Sequence, residues 1–233
     1  MTGDQKSQDH PPRPHDMGGR FGDGAVITDD DAAPVFTQDW HGRALALTLA
    51  AGALGAWNLD ISRHARECLK PEDYSRFSYY EKWLAALADL LHAHGVVRLE
   101  ELQSGQSSGV SPLASMQLPA DRVAAVLARG GPTDRPQSIP PKFNIGQAVK
   151  TRIGGNAMVE GGHTRLPQYA QGKPGLIIAH HGAHIFPDSH AHGQGESPQH
   201  LYGVAFRAQD LWETPEHPGD NVILDLWESY LEA

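Results

Sequence analysis

The chain reads as an α+β protein: an extended N-terminal arm, a helical domain, then a small, strongly bent β sheet or barrel. Three observations carry this reading. Residues 41–94 are rich in Ala and Leu with apolar residues at helical spacing, whereas the stretch after Lys142 breaks into short runs with strand periodicity. Between them, Gly130–Pro141 carries two glycines and four prolines, the composition of a domain boundary. The full length of 233 residues suits one large domain or two small ones, each able to bury a core without staples. The predicted division is an arm over 1–40, a helical domain over 41–130, a Pro/Gly-rich linker over 131–142 and a β domain over 143–233.

Met1–Trp40 holds no compact element. Gly18, Gly19, Gly22 and Gly24 interrupt any helix, Asp29, Asp30 and Asp31 form an acidic run, and Phe21, Val26, Ile27, Val35 and Phe36 are scattered. A loop of this length inside a domain is unusual. Two readings stand, a disordered tail or an arm that orders against another subunit, and the spaced aromatics favour the arm. Arg43–Trp57 is the first predicted helix, with Ala50, Ala51, Gly52 and Ala53 allowing close packing. Asp60 is placed as the N-cap of a second helix running through Leu69, which Pro71 ends. Ser78 and Glu81 have capping-box spacing and open a third helix. On it Tyr80, Leu84, Leu87 and Leu91 form one stripe, with Tyr79, Trp83 and Leu90 beside it, and Gly95 is its stop signal. Gln103–Pro119, rich in Ser and Gly, reads as a loop, and Ala120–Arg129 as a short helix. Strands are predicted at Gln147–Arg152, Gly175–His180, Tyr202–Phe206 and Val222–Trp227. In the last, Val222, Leu224 and Leu226 alternate with Ile223, Asp225 and Trp227, so one face is wholly apolar. Turn residues at short intervals bend such strands into a small sheet or barrel.

Composition excludes several classes. With 39% hydrophobic and 20% charged residues the chain is neither a disordered acidic polymer nor a coiled coil. Basic and acidic residues number 14 and 18 through Lys142, then 5 and 10 after it, so the net charge of −9 is spread along the chain. No basic stripe marks a nucleic-acid partner. No apolar run nears the roughly 20 residues of a membrane span, and the N-terminus lacks the apolar core of a signal peptide. A reduced, cytoplasmic setting is the expectation, and the single Cys68 allows neither an internal disulfide nor a Cys-rich metal site.

The 14 histidines are the first chemical feature. His180, His181, His184, His190, His192 and His200 fall in one segment. On a strand His180 and His184 would share a face and could grip a metal, as could His190 and His192 two apart. No His-Glu-x-x-His spacing is present, and surface histidines bonded to backbone are the plainer reading. Cys68, mid-helix beside Glu67, reads as an inert, at least half-buried thiol. There is no Gly-x-Ser-x-Gly elbow and no phosphate-binding glycine loop between a strand and a helix. Arg63 lies one turn past Asp60 among Trp57, Tyr79, Tyr80 and Trp83, and Arg165 lies in an extended piece, Gly162–Pro167. A guanidinium is a flat, permanently charged fork suited to oxyanions, although a surface ion pair is the plainer use of either. From the residues alone the chain contains no complete active site, so an enzymatic role requires a partner.

Several pieces taken together resemble the beta subunit of nitrile hydratase along nearly the whole length. They are His15-Asp16-Met17-Gly18-Gly19, Tyr79-Tyr80-Glu81-Lys82-Trp83-Leu84 and Gly162-His163-Thr164-Arg165, then His180 through Asp188, His200 through Phe206, Ala208 through Trp212, and Asp225 through Leu231. Each is short, and their order and spacing make the match specific. The resemblance implies a helical N-terminal half with a wrapping arm followed by an SH3-like β-roll or barrel. It implies a complex with an alpha subunit, as a heterodimer commonly paired into an α2β2 tetramer, that hydrates a small nitrile to an amide. The alpha subunit of that family holds iron(III) or cobalt(III) in a Cys-x-x-Cys-Ser-Cys claw with two oxidised cysteines. By the resemblance, this chain binds no metal itself. Arg63 and Arg165 reach the oxidised cysteine oxygens, Tyr79 joins them as a catalytic group, Leu54, Trp57 and Trp83 line the nitrile pocket, and Glu67 orients an arginine. Residues 1–14 precede the family's usual start, and Ser78 stands where Pro is frequent; Lys82 sits at a variable position, leaving substrate preference open. Thiocyanate hydrolase divides this region between two chains, and the family's activator proteins resemble only the N-terminal half, so both alternatives fit less well. A binding module with a His-rich metal site is the remaining alternative.

Overall fold

The computed structural model describes residue 28 and residues 30–233. The glycine cluster, the His15–Gly19 piece and nearly all of the predicted arm lie outside these residues.

The helical half begins with α1, Asp39–Ala53. It starts earlier than expected, with the Asp39 carboxylate in the first turn, where its charge suits the positive end of the helix dipole. It also ends earlier, since the backbone turns at Gly55 with φ +73°, and Trp57 falls outside the helix. Helix α2 spans Leu59–Glu67. Its cap is Asn58, not Asp60: Asn58 Oδ1 accepts from the Ile61 N–H at 2.9 Å. Asp60 is thereby freed for another role inside the first turn. Pro71 opens α3, Pro71–Arg76, rather than ending α2. At the first helical position a proline lacks only an N–H that has no intrahelical partner. The capping box forms as predicted at the start of α4, Tyr79–Ala93, where the Ser78 N–H donates to Glu81 at 2.7 Å. Helix α5, Leu99–Ser104, was not expected. Glu101 reaches back to the Arg98 N–H at 2.9 Å and Gly105 closes it in the left-handed region. Helix α6 is Ala120–Arg129, as read from the sequence. Ala51, Trp57, Leu87 and Leu90 form the core of this half.

The other half is an antiparallel sheet of β1 (Ala148–Thr151), β2 (Pro174–His184), β3 (Gln199–Arg207), β4 (Asn221–Trp227) and β5 (Leu231–Glu232), in the order β4-β3-β2-β1-β5. The four predicted strands are present. The fifth has two residues, too few to carry a period. Among the described residues the sheet is open at β4 and β5, and no ladder closes it into the barrel that the sequence suggested. Its bends come from register shifts between Ile177 and Ala179 and between His180 and Ala183. Gly175 is required by space: a Cβ there would lie 2.6 Å from Val204 Cγ1. Ile177, Tyr202, Val204, Phe206, Leu226 and Tyr230 fill the core of this half.

Two short helices complete the sheet half: α7, Pro187–His190, after β2, and α8, Ala208–Leu211, after β3. The Pro/Gly-rich stretch is strapped onto β2 rather than hanging free. The Arg135 N–H donates to Ala183 O at 2.8 Å, the Ile185 N–H to Thr133 O at 2.9 Å, and the Arg135 guanidinium takes both oxygens of Glu196 at 2.7 Å. The halves meet where α7 packs on α2.

Candidate functional site

The meeting of α2, the 162–167 segment and α7 is a polar seam, built because α2 presents Asp60, Arg63, His64 and Glu67 toward the sheet half. Asp60 is buried and uses both oxygens. Arg63 Nη1 donates to Oδ1 at 2.9 Å, and His190 Nδ1 of α7 donates to Oδ2 at 2.8 Å. A carboxylate only accepts, so this nitrogen of His190 carries the hydrogen. Asn58 Nδ2 adds a bond to the His190 carbonyl at 2.8 Å.

One turn on, Glu67 accepts from His163 Nδ1, which lies 2.9 Å from both oxygens, and from His64 Nδ1 at 3.2 Å. His163 is 1% exposed, and its backbone N–H donates to His192 Nε2 at 3.0 Å. His64 is raised to about 9 by hydrogen bonding to Cys68 and then to Glu67, against burial. Cys68 sits exposed at the C-cap of α2 with Sγ 3.5 Å from His64 Nε2, which corrects the expectation of a buried mid-helix thiol.

Below Arg165 lies a third, buried cluster. The Tyr230 hydroxyl accepts from the Arg165 backbone N–H at 3.0 Å and from Thr164 Oγ1 at 3.2 Å, and donates to Asp188 Oδ1. Tyr230 and Asp188 are both fully buried. Burial pushes Asp188 up to about 6, with the Tyr230 bond and the Arg152 charge pulling the other way. Burial and then the Asp188 charge hold the Tyr230 phenol well above its ordinary range. Arg152 Nη2 stands 3.7 Å from Asp188 Oδ2, and its guanidinium lies 5.3 Å from the Tyr230 ring centre. Asn156 Nδ2 ties the carbonyls of His163 and Asp188 together at 2.8 and 2.9 Å.

The residues singled out in the sequence are thus distributed unevenly. Arg63 and Arg165 come to the same seam, Arg63 with a side chain 41% exposed and Arg165 exposed with no side-chain bond among the described residues. Glu67 belongs to the seam, but Asp60, not Glu67, holds Arg63. Tyr79, 64% exposed, meets Trp83 at 5.4 Å between ring centres, and the partly desolvated Arg66 guanidinium stands 4.8 Å from the Trp83 ring centre. Trp57 does not join them; it is a core residue facing His94. Leu54 lines an apolar hollow of about 480 Å³ with Leu47, Leu84, Leu91, Leu102 and Leu118. Neither Tyr79 nor Trp83 lines this hollow.

Asp60, His190 and Tyr230 were not recognised as holders of the arginines. Their signal was indirect: Asp60 stood three residues before Arg63, and the other two lay inside short pieces whose partners are far away in sequence. The histidines of β2 and β3 do not converge on an ion, because the bulge between His180 and Ala183 breaks the strand alternation. His180 pairs with His200 at 3.1 Å, His200 donates to Ile139 O at 2.7 Å and His181 meets Asp225 at 3.1 Å. Among the described residues, His64, Glu67 and His163 bring three donors within 4.8 Å. That spacing could hold an ion, although here the carboxylate is already shared between two imidazole N–H groups.

Comparison with known proteins gives the context. The family model described as nitrile hydratase beta subunit, N-terminal, matches residues 12–126, and the C-terminal model matches 132–233. The low-molecular weight cobalt-containing nitrile hydratase subunit beta of Rhodococcus rhodochrous is 33% identical over 93% of this chain and 97% of its own length. The cobalt-containing nitrile hydratase subunit beta of Pseudonocardia thermophila is 33% identical over 94% of each. Among solved structures, the recombinant apo-enzyme of thiocyanate hydrolase from Thiobacillus thioparus matches 40% of this chain and 76% of its own, at 25% identity and a TM-score of 0.36. With both halves matched in order and relatives similar from end to end, the chain belongs to the nitrile hydratase beta-subunit family.

Proposed function

We propose that this chain is the beta half of a nitrile hydratase, a hydro-lyase that converts a small nitrile and water to the amide when paired with an alpha subunit. The observation that carries the reading is the seam: two guanidiniums from distant parts of the chain, both reaching solvent, Arg63 docked on buried Asp60 and Arg165 fixed through its backbone N–H on buried Tyr230. Such forks call for an oxyanion supplied from outside. The oxidised cysteines of an alpha-subunit metal centre fit that requirement. This chain's single cysteine cannot build a thiolate claw, so the metal belongs to the partner. The relatives named cobalt-containing support cobalt(III), with iron(III) the alternative. When bound, such a metal supplies Lewis acidity.

The tasks of this chain's own residues follow from their chemistry. Arg63 and Arg165 donate to the partner's sulfur oxygens and hold their orientation. Tyr79 presents a phenol O–H beside Trp83, a donor and an apolar wall suited to a nitrile with one linear acceptor. Leu54, on its own apolar hollow, and Trp57, in the core beside it, are proposed with Trp83 as walls of the nitrile pocket. The complex is proposed as an αβ heterodimer doubled to α2β2, in the cytoplasm. The division is proposed at 131–142, next to the break between the two family models at residues 126 and 132, and the open, bent sheet is proposed to be of the SH3-like roll type.

The test is co-expression with an alpha subunit, followed by an assay of amide formation. The pair should turn over and this chain alone should not. Arg63→Lys and Arg165→Lys in the assembled, metal-loaded pair should each slow the rate by about tenfold or more, as supporting groups around metal ligands do. Full rate in both variants, or turnover by this chain unaided, would refute the reading.

A further inference from the structure

We infer that the four-residue helix α7 is the bracket that sets the spacing of the two arginines, and that His190 is the positioning residue for Arg63. The inference rests on the function proposed above. Arg63 and Arg165 sit on different halves of the molecule, so nothing in either half alone fixes the distance between them. Helix α7 touches both attachments. Its Asp188 accepts from Tyr230, whose hydroxyl in turn holds the Arg165 backbone N–H. Its His190 donates to Asp60, whose other oxygen holds Arg63.

The chemistry of the Arg63 arm explains why the histidine matters. A half-exposed Arg–Asp pair i,i+3 on a helix is worth little and leaves both side chains free to turn. Here Asp60 is 6% exposed and its second oxygen is taken by His190, so the carboxylate plane is set. The guanidinium that docks on the remaining oxygen inherits that orientation. Removing the imidazole N–H leaves a buried oxygen unsatisfied and the carboxylate free to rotate. The docking of the two halves does not depend on that side chain alone, because Asn58 Nδ2 bonds the His190 backbone carbonyl and Glu67 bonds His163. Loss of the imidazole therefore disturbs Arg63 without parting the halves.

The experiment uses the assembled, metal-loaded αβ complex. His190→Ala should lower kcat about tenfold with the nitrile KM little changed, and should speed deuterium exchange in the peptide covering 58–64. His190→Asn, which keeps an N–H donor near the Nδ1 position, should restore most of both. In an Arg63→Lys background, His190→Ala should cost nothing further, because the group it positions is already gone. Equal losses in both backgrounds, full rate in His190→Ala while Arg63→Lys is impaired, or a loss that His190→Asn fails to restore would each overturn the bracket while leaving the functional reading intact. Full rate in Arg63→Lys itself would overturn the bracket through its premise, and only that outcome reaches the function proposed for Arg63.

Discussion

Glu67 accepts from two imidazoles at once, and this arrangement sets a pH dependence for the end of α2. His64 is raised from 6.5 to about 9, first by Cys68 and then by Glu67. A group raised in the folded state stabilises it fully below its unfolded value and loses that contribution as pH rises through the folded one. Its side chain is 18% exposed, so the stability carried by the His64 proton should be on the order of 2–3 kcal/mol, present below pH 6.5 and gone above 9. Chemical denaturation on either side of that window should show the loss in the parent chain and a flatter profile in His64→Gln. Identical profiles would remove His64 as the cause. At this scale the sequence was informative about residue type: a guanidinium at 63 and another at 165, a carboxylate at 67. It was silent on pairing, and so Glu67 was assigned to an arginine that Asp60 holds, while Cys68 was read as buried.

Helices and strands followed local chemistry closely where that chemistry was strong. The capping box at Ser78 and Glu81, the Ala-rich 120–129 segment and the alternation of β4 were all legible, because their causes lie within a few residues. Proline at 71 was read in the wrong direction, since the residue that ends one helix can equally begin the next. Trp57 illustrates a second role that only packing reveals. An aromatic near an arginine suits a substrate wall, and this ring is also 9% exposed among Ala51, Leu87 and Leu90. Trp57→Ala should therefore cost about 3–5 kcal/mol of folding stability, read as a lower melting temperature of the complex, because it empties a core site. A variant with parent-like melting and altered nitrile preference alone would leave Trp57 as a pocket wall only.

For the molecule as a whole, two cores are joined by a polar seam and a strapped connector, and the loosest joint lies elsewhere than composition suggests. Residues 131–142 have a domain-boundary composition, but Thr133 and Arg135 pair with β2 and the Lys142 N–H bonds Glu228 at 2.9 Å. Residues 105–110 are exposed throughout, and the hydrogen bonds of 106–109 reach no farther along the chain than Glu101. Limited digestion with a protease of broad specificity should, within residues 30–233, cut first in 105–118 and spare 131–142. First cleavage in the connector would show that its straps are weak in solution. By itself the sequence determined the α+β class, most of the elements and, through the order of its short motifs, the family. Those properties arise from periodicity, capping and residue chemistry acting over a few positions. Tertiary structure alone decided that Asp60 and His190 hold the Arg63 side chain, that Tyr230 and Asp188 hold the Arg165 backbone, and that the sheet stays open among the described residues. Each of those outcomes depends on groups far apart in the chain becoming neighbours and on which of them lose their water, and no local pattern encodes that.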